Sequence, residues 1–296
     1  MSLVFQLPKH SGGFFCQVLT LASNYLYAKQ NNLSFFIEDS IWLFQHSRGW
    51  RDYFTSLQVI REKIPPLPIH PELHVDDERL HHFTLQEYID TMEEIFQLQE
   101  GVQDRYEEER KKLPEEYNSI IIRRGDKMYG EAFYISTKEY VNKLLEKSEL
   151  PIFVQTDDYT AYEEVCQYIQ SLNKNICVVT TCPEDKRGAF VFNYEPSIGS
   201  VVSEQNNTYL KKLATLHQKS VNQYSPTEMK EHVEEILVGL KICMESRYAA
   251  TDFQSNCTRF LLCSHNNPSN VLSVGPITCP PYDVRLKSIA HGFIPN

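Results

Sequence analysis

The sequence contains no apolar run approaching the roughly 20 residues that a membrane-spanning helix needs. Its start, MSLVFQLPKHSGG, lacks the charged opening and long apolar stretch of a secretory signal. Both absences lead us to expect a soluble, cytoplasmic protein, although a lumenal catalytic domain cut from a longer anchored chain would read the same way. Positive charge is also in deficit, with a formal net charge of −10. A general nucleic-acid binder needs a basic face to displace counterions, so that class is excluded. The cysteines, Cys16, Cys166, Cys177, Cys182, Cys243, Cys257, Cys263 and Cys279, include no CxxC pair. Without tight spacing, neither a zinc site nor a dithiol redox motif is expected, while buried reduced thiols and disulfides both stay open. Low-complexity tracts and internal repeats are missing as well.

What is present suits a folded enzyme-sized core. The chain has 296 residues, 42% of them hydrophobic and 12% aromatic, enough for one large domain or two ordinary ones. After Gly12-Gly13, the apolar spacing of Val18, Leu19, Leu21, Ala22, Tyr25 and Leu26 predicts a helix over Cys16–Lys29. Leu33–Glu38 reads as a short buried strand, and Leu85–Leu113 as one long helix whose charged second half faces solvent. The texture changes at Tyr117, and a domain boundary is expected near Pro114. From Ser119 onward, short apolar strands alternate with amphipathic helices: Ser119–Arg124, Thr137–Lys147, Ile152–Gln155, Tyr159–Leu172 and Ile176–Thr180. That βαβαβ rhythm predicts a parallel sheet and the mononucleotide-binding half of a Rossmann-like fold. A looser region, Cys182–Tyr224, precedes a helix over Thr227–Cys243, a last strand and helix, and a Pro-rich tail after Asn266 that wraps the surface.

The chemistry concentrates where strands end. Ile120-Ile121-Ile122 runs into Arg123-Arg124-Gly125-Asp126-Lys127, a dense local cation cluster in an acidic chain. In open α/β sheets ligands lie beyond the carboxyl ends of strands, and arginine forks suit phosphate oxygens. Neighbouring side chains on extended backbone point to opposite faces, so one arginine meets the ligand and the other braces the loop. A surface cluster paired with nearby acids is the plainer alternative. Glu131, a few residues on, is placed to act as a general base or simply to mark a helix entry. Asp157-Asp158 follows the next strand, where an aspartate caps a helix or a pair holds a metal. Thr251–Asn256, with Arg259, forms a polar turn before an apolar helix, whose N-terminal N–H groups can bind phosphate or be capped locally. Gly12-Gly13 permits close backbone approach.

Together these segments resemble the α1,6-fucosyltransferases, the eukaryotic core fucosyltransferase and the bacterial nodulation-type enzymes. RRGDKMYGEAFYISTKEY is similar to the family's RR-x-DK…E-A-x-F…EY segment. GGFFCQ…FFIEDSIW…GW looks like its glycine-rich loop, strand with glutamate and paired tryptophans, and TDFQSNCTR like its T-F-S-S-Q-x-C-R turn. The matches keep their order from Gly12 to Arg259. The resemblance implies a two-lobed GT-B-like α/β core: residues 1–115 as the acceptor-side lobe, residues 116–296 as a Rossmann-like donor lobe. It implies an inverting, metal-independent transfer of a sugar, L-fucose from GDP-fucose, to a glycan hydroxyl. No cofactor beyond the nucleotide sugar is implied.

Carried over residue by residue, Arg123 and Arg124 bind or brace the diphosphate. Ser255 and Asn256 cradle the β-phosphate and sugar, with Asp157, Asp158 and Arg259 beside them, and Gly12-Gly13 close on the donor. Glu131 falls on the family's base, supported by Asp126 and Lys127. Two positions depart from the pattern. A histidine that helps hold guanine is replaced by Ile121, and the helix position of a guanine-binding aspartate falls near Gly239. A UDP- or dTDP-sugar donor, or a non-catalytic nucleotide- or glycan-binding module, are the alternatives.

Overall fold

A computed structural model describes residues 1–9, 13–60, 69–70, 79, 83–128, 132–188, 205–206, 208–209, 211 and 220–275, with backbone alone at 69, 70, 126, 127 and 222. Two compact units emerge. The first comprises Met1–Gln103 with Ser225–Glu234, and the second Asp104–Tyr224 with Glu235–Thr278. The contact division thus falls at Gln103, ahead of the boundary expected near Pro114.

The first unit holds a four-stranded parallel sheet in the order β3-β2-β1-β4. Its strands are β1 (Ser2–Gln6), β2 (Ser34–Glu38), β3 (Val59–Ile60) and β4 (Ile69–His70). Helix α1 (Phe14–Gln30) forms as the periodicity predicts and buries Val18, Leu19, Leu21, Ala22 and Leu26. The tryptophans are core: Trp42 and Trp50 are buried, and Trp50 stacks on Phe54 at 4.2 Å. Their indole N–H groups are satisfied, Trp42 donating to Gln17 at 2.7 Å and Trp50 to the Ser56 carbonyl at 3.0 Å. Buried indoles need such partners.

The expected single helix over Leu85–Leu113 is in fact two, α2 (Leu85–Ile95) and α3 (Glu100–Arg110). The break has a local cause. Backbone at 97–99 pairs with 53–55, through Thr55 N–H to the Gln97 carbonyl and Gln99 N–H to the Tyr53 carbonyl, both at 2.8 Å. Those bonds replace the helical ones at that point. Thr84 and Glu87 form a reciprocal capping box at the start of α2.

The second unit carries the five-stranded sheet β7-β6-β5-β8-β9, parallel throughout. Its elements are β5 (Asn118–Ile122), α4 (Thr137–Leu145), β6 (Ile152–Thr156), α5 (Tyr159–Ser171), β7 (Val178–Thr180), α6 (Pro226–Glu245, in this unit from Glu235 onward), β8 (Ala249–Thr251), α7 (Asn256–Ser264) and β9 (Val271–Ser273). The βαβαβ expectation holds. The tail after Asn266 is corrected in part, because Val271–Ser273 adds an edge strand alongside β8. Every residue of β5 and β6 is buried, as strands covered on both faces require. One face packs Ile120, Ile122, Ile152 and Val154 against Val141, Leu144, Val165 and Ile169 of α4 and α5. The opposite face turns Ser119, Ile121, Phe153 and Gln155 toward α6, where Ser119 Oγ meets Ser246 Oγ at 2.8 Å.

Among the described residues no disulfide forms, and Cys182, Cys243, Cys257 and Cys263 are buried. No helix there is long and apolar enough to cross a membrane.

Candidate functional site

The order of this sheet fixes where a ligand fits. From β5 the chain steps outward to β6 and β7, then returns to place β8 on the other side of β5. The switch point therefore lies between β5 and β8, and crevices at such points beyond the carboxyl ends of strands are where open α/β sheets bind ligands. Arg123-Arg124 follows β5 and Thr251–Asn256 ends β8, so the two polar segments singled out in the sequence are neighbours.

The two arginines divide as strand alternation requires. Arg124 is the brace, at 2% side-chain exposure. Its Nη2 donates to Glu164 at 2.7 Å and to the Tyr134 hydroxyl at 2.9 Å, and its Nη1 lies 3.6 Å from Asp158. Its guanidinium also sits over the rings of Tyr134 and Tyr209. Burial opposes the charge, but the Glu164 hydrogen bond and charge outweigh it and raise the Arg124 pKa. Arg123 stays 20% exposed and pairs through Nη1 with Asp157. Asp157 also accepts the Arg124 backbone N–H at 2.8 Å.

Asp158 has a different task. It caps α5, accepting from the Thr160 N–H at 3.0 Å and hydroxyl at 2.7 Å, and it accepts the Tyr209 hydroxyl at 2.9 Å. The aspartate pair is thus split, with Asp157 on the arginine pair and Asp158 on the helix cap. Among the described residues no group of three or more His, Cys, Asp or Glu is arranged to hold a metal.

The turn after β8 is rigidly tied. Asp252 is buried, accepts the Tyr140 hydroxyl at 2.8 Å and takes the Gln254 N–H at 3.0 Å. Burial pushes its carboxyl pKa up. Ser255 is the N-cap of α7, its Oγ accepting from Thr258 N–H at 3.4 Å. The Arg259 side chain folds back on this turn, with Nε to the Phe253 carbonyl at 3.0 Å and Nη1 to Asn256 Oδ1 at 3.3 Å. A helix N-terminus directed into a switch-point crevice favours an anion.

Gln254, known from the sequence only as part of the polar turn, and Asn206, missed there, hold the segment that leads away from the arginines. Gln254 pairs with Phe133 like a strand neighbour, accepting its N–H at 2.7 Å and donating to its carbonyl at 3.2 Å. Asn206 is fully buried and donates to the carbonyls of Met128 at 3.0 Å and Ala132 at 2.7 Å, while accepting from Tyr134 N–H at 2.9 Å. It therefore ties together Met128 and Ala132, the described residues on either side of Glu131. Glu131 itself lies outside the described residues, as do Gly12 and the side chains of Asp126 and Lys127. Nothing local in the sequence marks Asn206 beyond a glycosylation sequon, and its burial in three hydrogen bonds leaves no room for a glycan.

Gly13 is described, as the N-cap of α1, and a Cβ built there would meet nothing within 4 Å. Its φ of −75° is open to any residue, so neither conformation nor packing among the described atoms demands glycine.

The α6 side of the strand ends carries Ile121, Gln155 and a second ion pair, Lys186 with Glu235 at 2.5 Å. Burial raises the Glu235 pKa, and the Lys186 charge pulls it back. On the Arg124 side a cavity of about 450 Å³ opens, lined by Arg124, Tyr134, Glu164 and Tyr209 among others. There one arginine already faces two carboxylates, Asp158 and Glu164. The arginine's charge is therefore already taken up, which leaves little for a diphosphate. On the Arg123 side the cations match the carboxylates and the α7 N-terminus adds positive potential, so that side suits an anion.

No protein-family model and no curated protein sequence matches the chain. Solved structures match it in fold. NodZ α1,6-fucosyltransferase soaked with GDP-fucose gives a TM-score of 0.53 at 12% identity, covering 89% of this chain and 92% of that one. A point mutant of Arabidopsis thaliana FUT1 in complex with GDP gives 0.53 at 9% identity, over 89% of this chain and 68% of that one. POFUT1 in complex with GDP-fucose gives 0.50 at 9% identity, over 93% and 97%. At such identities the likeness is one of fold: this mixed α/β chain with parallel sheets is similar in architecture to GT-B-like fucosyltransferases.

Proposed function

We propose that this protein is an inverting, metal-independent glycosyltransferase that moves a sugar, L-fucose from GDP-fucose, onto a glycan hydroxyl. The observation that carries this reading is the meeting of Arg123 and the α7 N-terminus on adjacent strands, β5 and β8, at the switch point of the sheet. The fold shared with fucosyltransferase structures supports the same reading.

In this reading the diphosphate lies against Arg123, with Arg124 bracing the turn behind it. Asp157 and Asp158 hold the two guanidinium groups in place. Ser255 and Asn256, at the start of α7, receive the β-phosphate and sugar, and Arg259 fixes that turn. As the sugar departs, negative charge grows on the diphosphate, and preoriented cations and N–H dipoles stabilise it there. Glu131 removes the acceptor hydroxyl proton while the oxygen attacks the anomeric carbon in line, with Asp126 and Lys127 supporting it. Gly12 and Gly13 are assigned to the donor, residues 116–296 to the donor lobe and residues 1–115 to the acceptor side, all on the resemblance alone.

A second donor class is favoured by one observation. Ile121 is apolar and buried, and Gly239 brings no carboxylate, so a UDP- or dTDP-sugar is the competing reading. Turnover of GDP-fucose and UDP-sugars by wild type, Arg123→Ala and Glu131→Gln tests both. Arg123→Ala should lose turnover and donor binding together, and Glu131→Gln turnover alone. Near-normal turnover in Glu131→Gln would remove the base assignment.

A further inference from the structure

The cavity beside Arg124, about 450 Å³, takes no part in the donor reading, and its size is that of a small-molecule pocket. Separate pieces of the second unit wall it. Thr160 and Glu164 lie one turn apart on α5 and share a face. Backbone at 205, 208 and 209 is helical, and this spacing puts Gln205, Thr208 and Tyr209 on one side. Asn206 turns the other way, to the carbonyls of Met128 and Ala132. Tyr134 completes the wall from the segment that follows Glu131, and Arg124 forms the floor.

Such a lining selects a neutral ligand. An entering anion would meet Glu164, and a cation would meet the Arg124 guanidinium, whose own charge Glu164 and Asp158 have taken up. What the walls offer instead is hydrogen-bonding capacity and ring surface. Arg124 occupies two of the roughly four acceptor sites of the Glu164 carboxylate, whose side chain keeps 38% of its surface. Gln205 and Thr208 are exposed and add an amide and a hydroxyl. The Tyr134 and Tyr209 rings, 6.0 Å apart and inclined at 43°, flank the guanidinium and form the apolar part of the wall. A pyranose ring presents the complement, hydroxyl groups around its edge and C–H groups on its faces. We propose that this cavity is a carbohydrate-binding subsite, separate from the donor crevice. It holds a neutral saccharide unit against Tyr134 and Tyr209, with hydroxyls on Glu164, Gln205 and Thr208. Tyr134 and the Asn206 segment are both attached to residues flanking Glu131 in the chain, so the bound saccharide belongs to the acceptor. That last assignment, unlike the binding itself, rests on the transferase reading of the Arg123 site.

Calorimetric titration of wild type, Gln205→Ala and Thr208→Trp with maltotetraose, mannotetraose and chitotetraose tests it, with tetragalacturonate as the anionic control and GDP as the donor-site control. At least one neutral tetrasaccharide should bind wild type saturably, and more tightly than tetragalacturonate. Thr208→Trp, which fills the cavity from an exposed position, should abolish that binding. Gln205→Ala should weaken it about threefold to tenfold, the loss of one hydrogen bond. GDP affinity and melting temperature should match wild type in both variants. Wild-type saccharide affinity in either variant, no saturable binding of any neutral tetrasaccharide, or a preference for tetragalacturonate overturns the proposal. Failure of the transferase reading looks different: GDP does not bind wild type, while saccharide binding and its loss in Thr208→Trp persist.

Discussion

The two faces of the second unit's sheet, compared where the strands end, show how one dipeptide serves two purposes. On the α5 side, Arg124 is closed in by Glu164, Asp158, the Tyr134 hydroxyl and two tyrosine rings, with only its Nε lacking a partner among the described residues. On the α6 side, Arg123 keeps one-fifth of its surface, and Gln155 below it has an amide oxygen with no partner among the described residues. The lower end of that same α6 side is again complete. Ser119, Ser246 and His265 bond one another there, and His265 Nδ1 accepts the Asn267 N–H at 3.0 Å. The enclosed arginine serves the scaffold, and the one that keeps exposed surface is the one a ligand can meet.

The largest expected effect comes from breaking the scaffold side. Arg124→Leu leaves Asp158 buried beside Glu164 with no cation between them, and should cost about 3–5 kcal/mol in urea unfolding. Loss of less than about 1 kcal/mol would show that the ring and carboxylate contacts are dispensable. Next comes the pH dependence of the lower end. Burial pushes the His265 pKa down to about 4, so its contribution is fully present above the ordinary value near 6.5 and is lost as pH falls through 4. Stability should drop by about 3 kcal/mol across that window. His265→Gln, unfolded over the same pH range, should show a flatter slope.

Asn206→Ala should have a smaller effect on stability, about 1–3 kcal/mol for the carbonyls and N–H it leaves unpaired. Its mark should lie in turnover, because it releases Met128 and Ala132, which flank Glu131 in the chain. Steady-state kinetics beside donor titration should show kcat falling with donor affinity retained. An equal loss in both would make Asn206 only a fold residue.

How much of this was legible beforehand depended on distance along the chain. The β5, β6 and β7 strands and their helices were legible because each is a local pattern of apolar spacing. The Arg-Arg pair and the Ser255 turn were legible as motifs, and alternation alone announced that one arginine would be the brace. The break at Phe96 was not, because it depends on backbone pairing with Tyr53–Thr55, over forty residues away in kind of order rather than in local pattern. The same holds for Asn206 and Gln254, whose roles arise only when the loops meet. Gln155 and Gly239 each look ordinary alone. Their fit, with a Cβ at 239 falling 1.5 Å from Gln155 Oε1, appears only once α6 lies over β6.

The smallest stability change, and the sharpest functional one, belongs to Arg123→Ala, since Asp157 keeps the Arg124 backbone N–H. Calorimetric titration of GDP into wild type and Arg123→Ala, with melting curves of both, tests the central claim most directly. The account predicts saturable binding to wild type, no measurable binding to the variant, and melting temperatures that nearly coincide. Equal GDP affinity in the two proteins would contradict it.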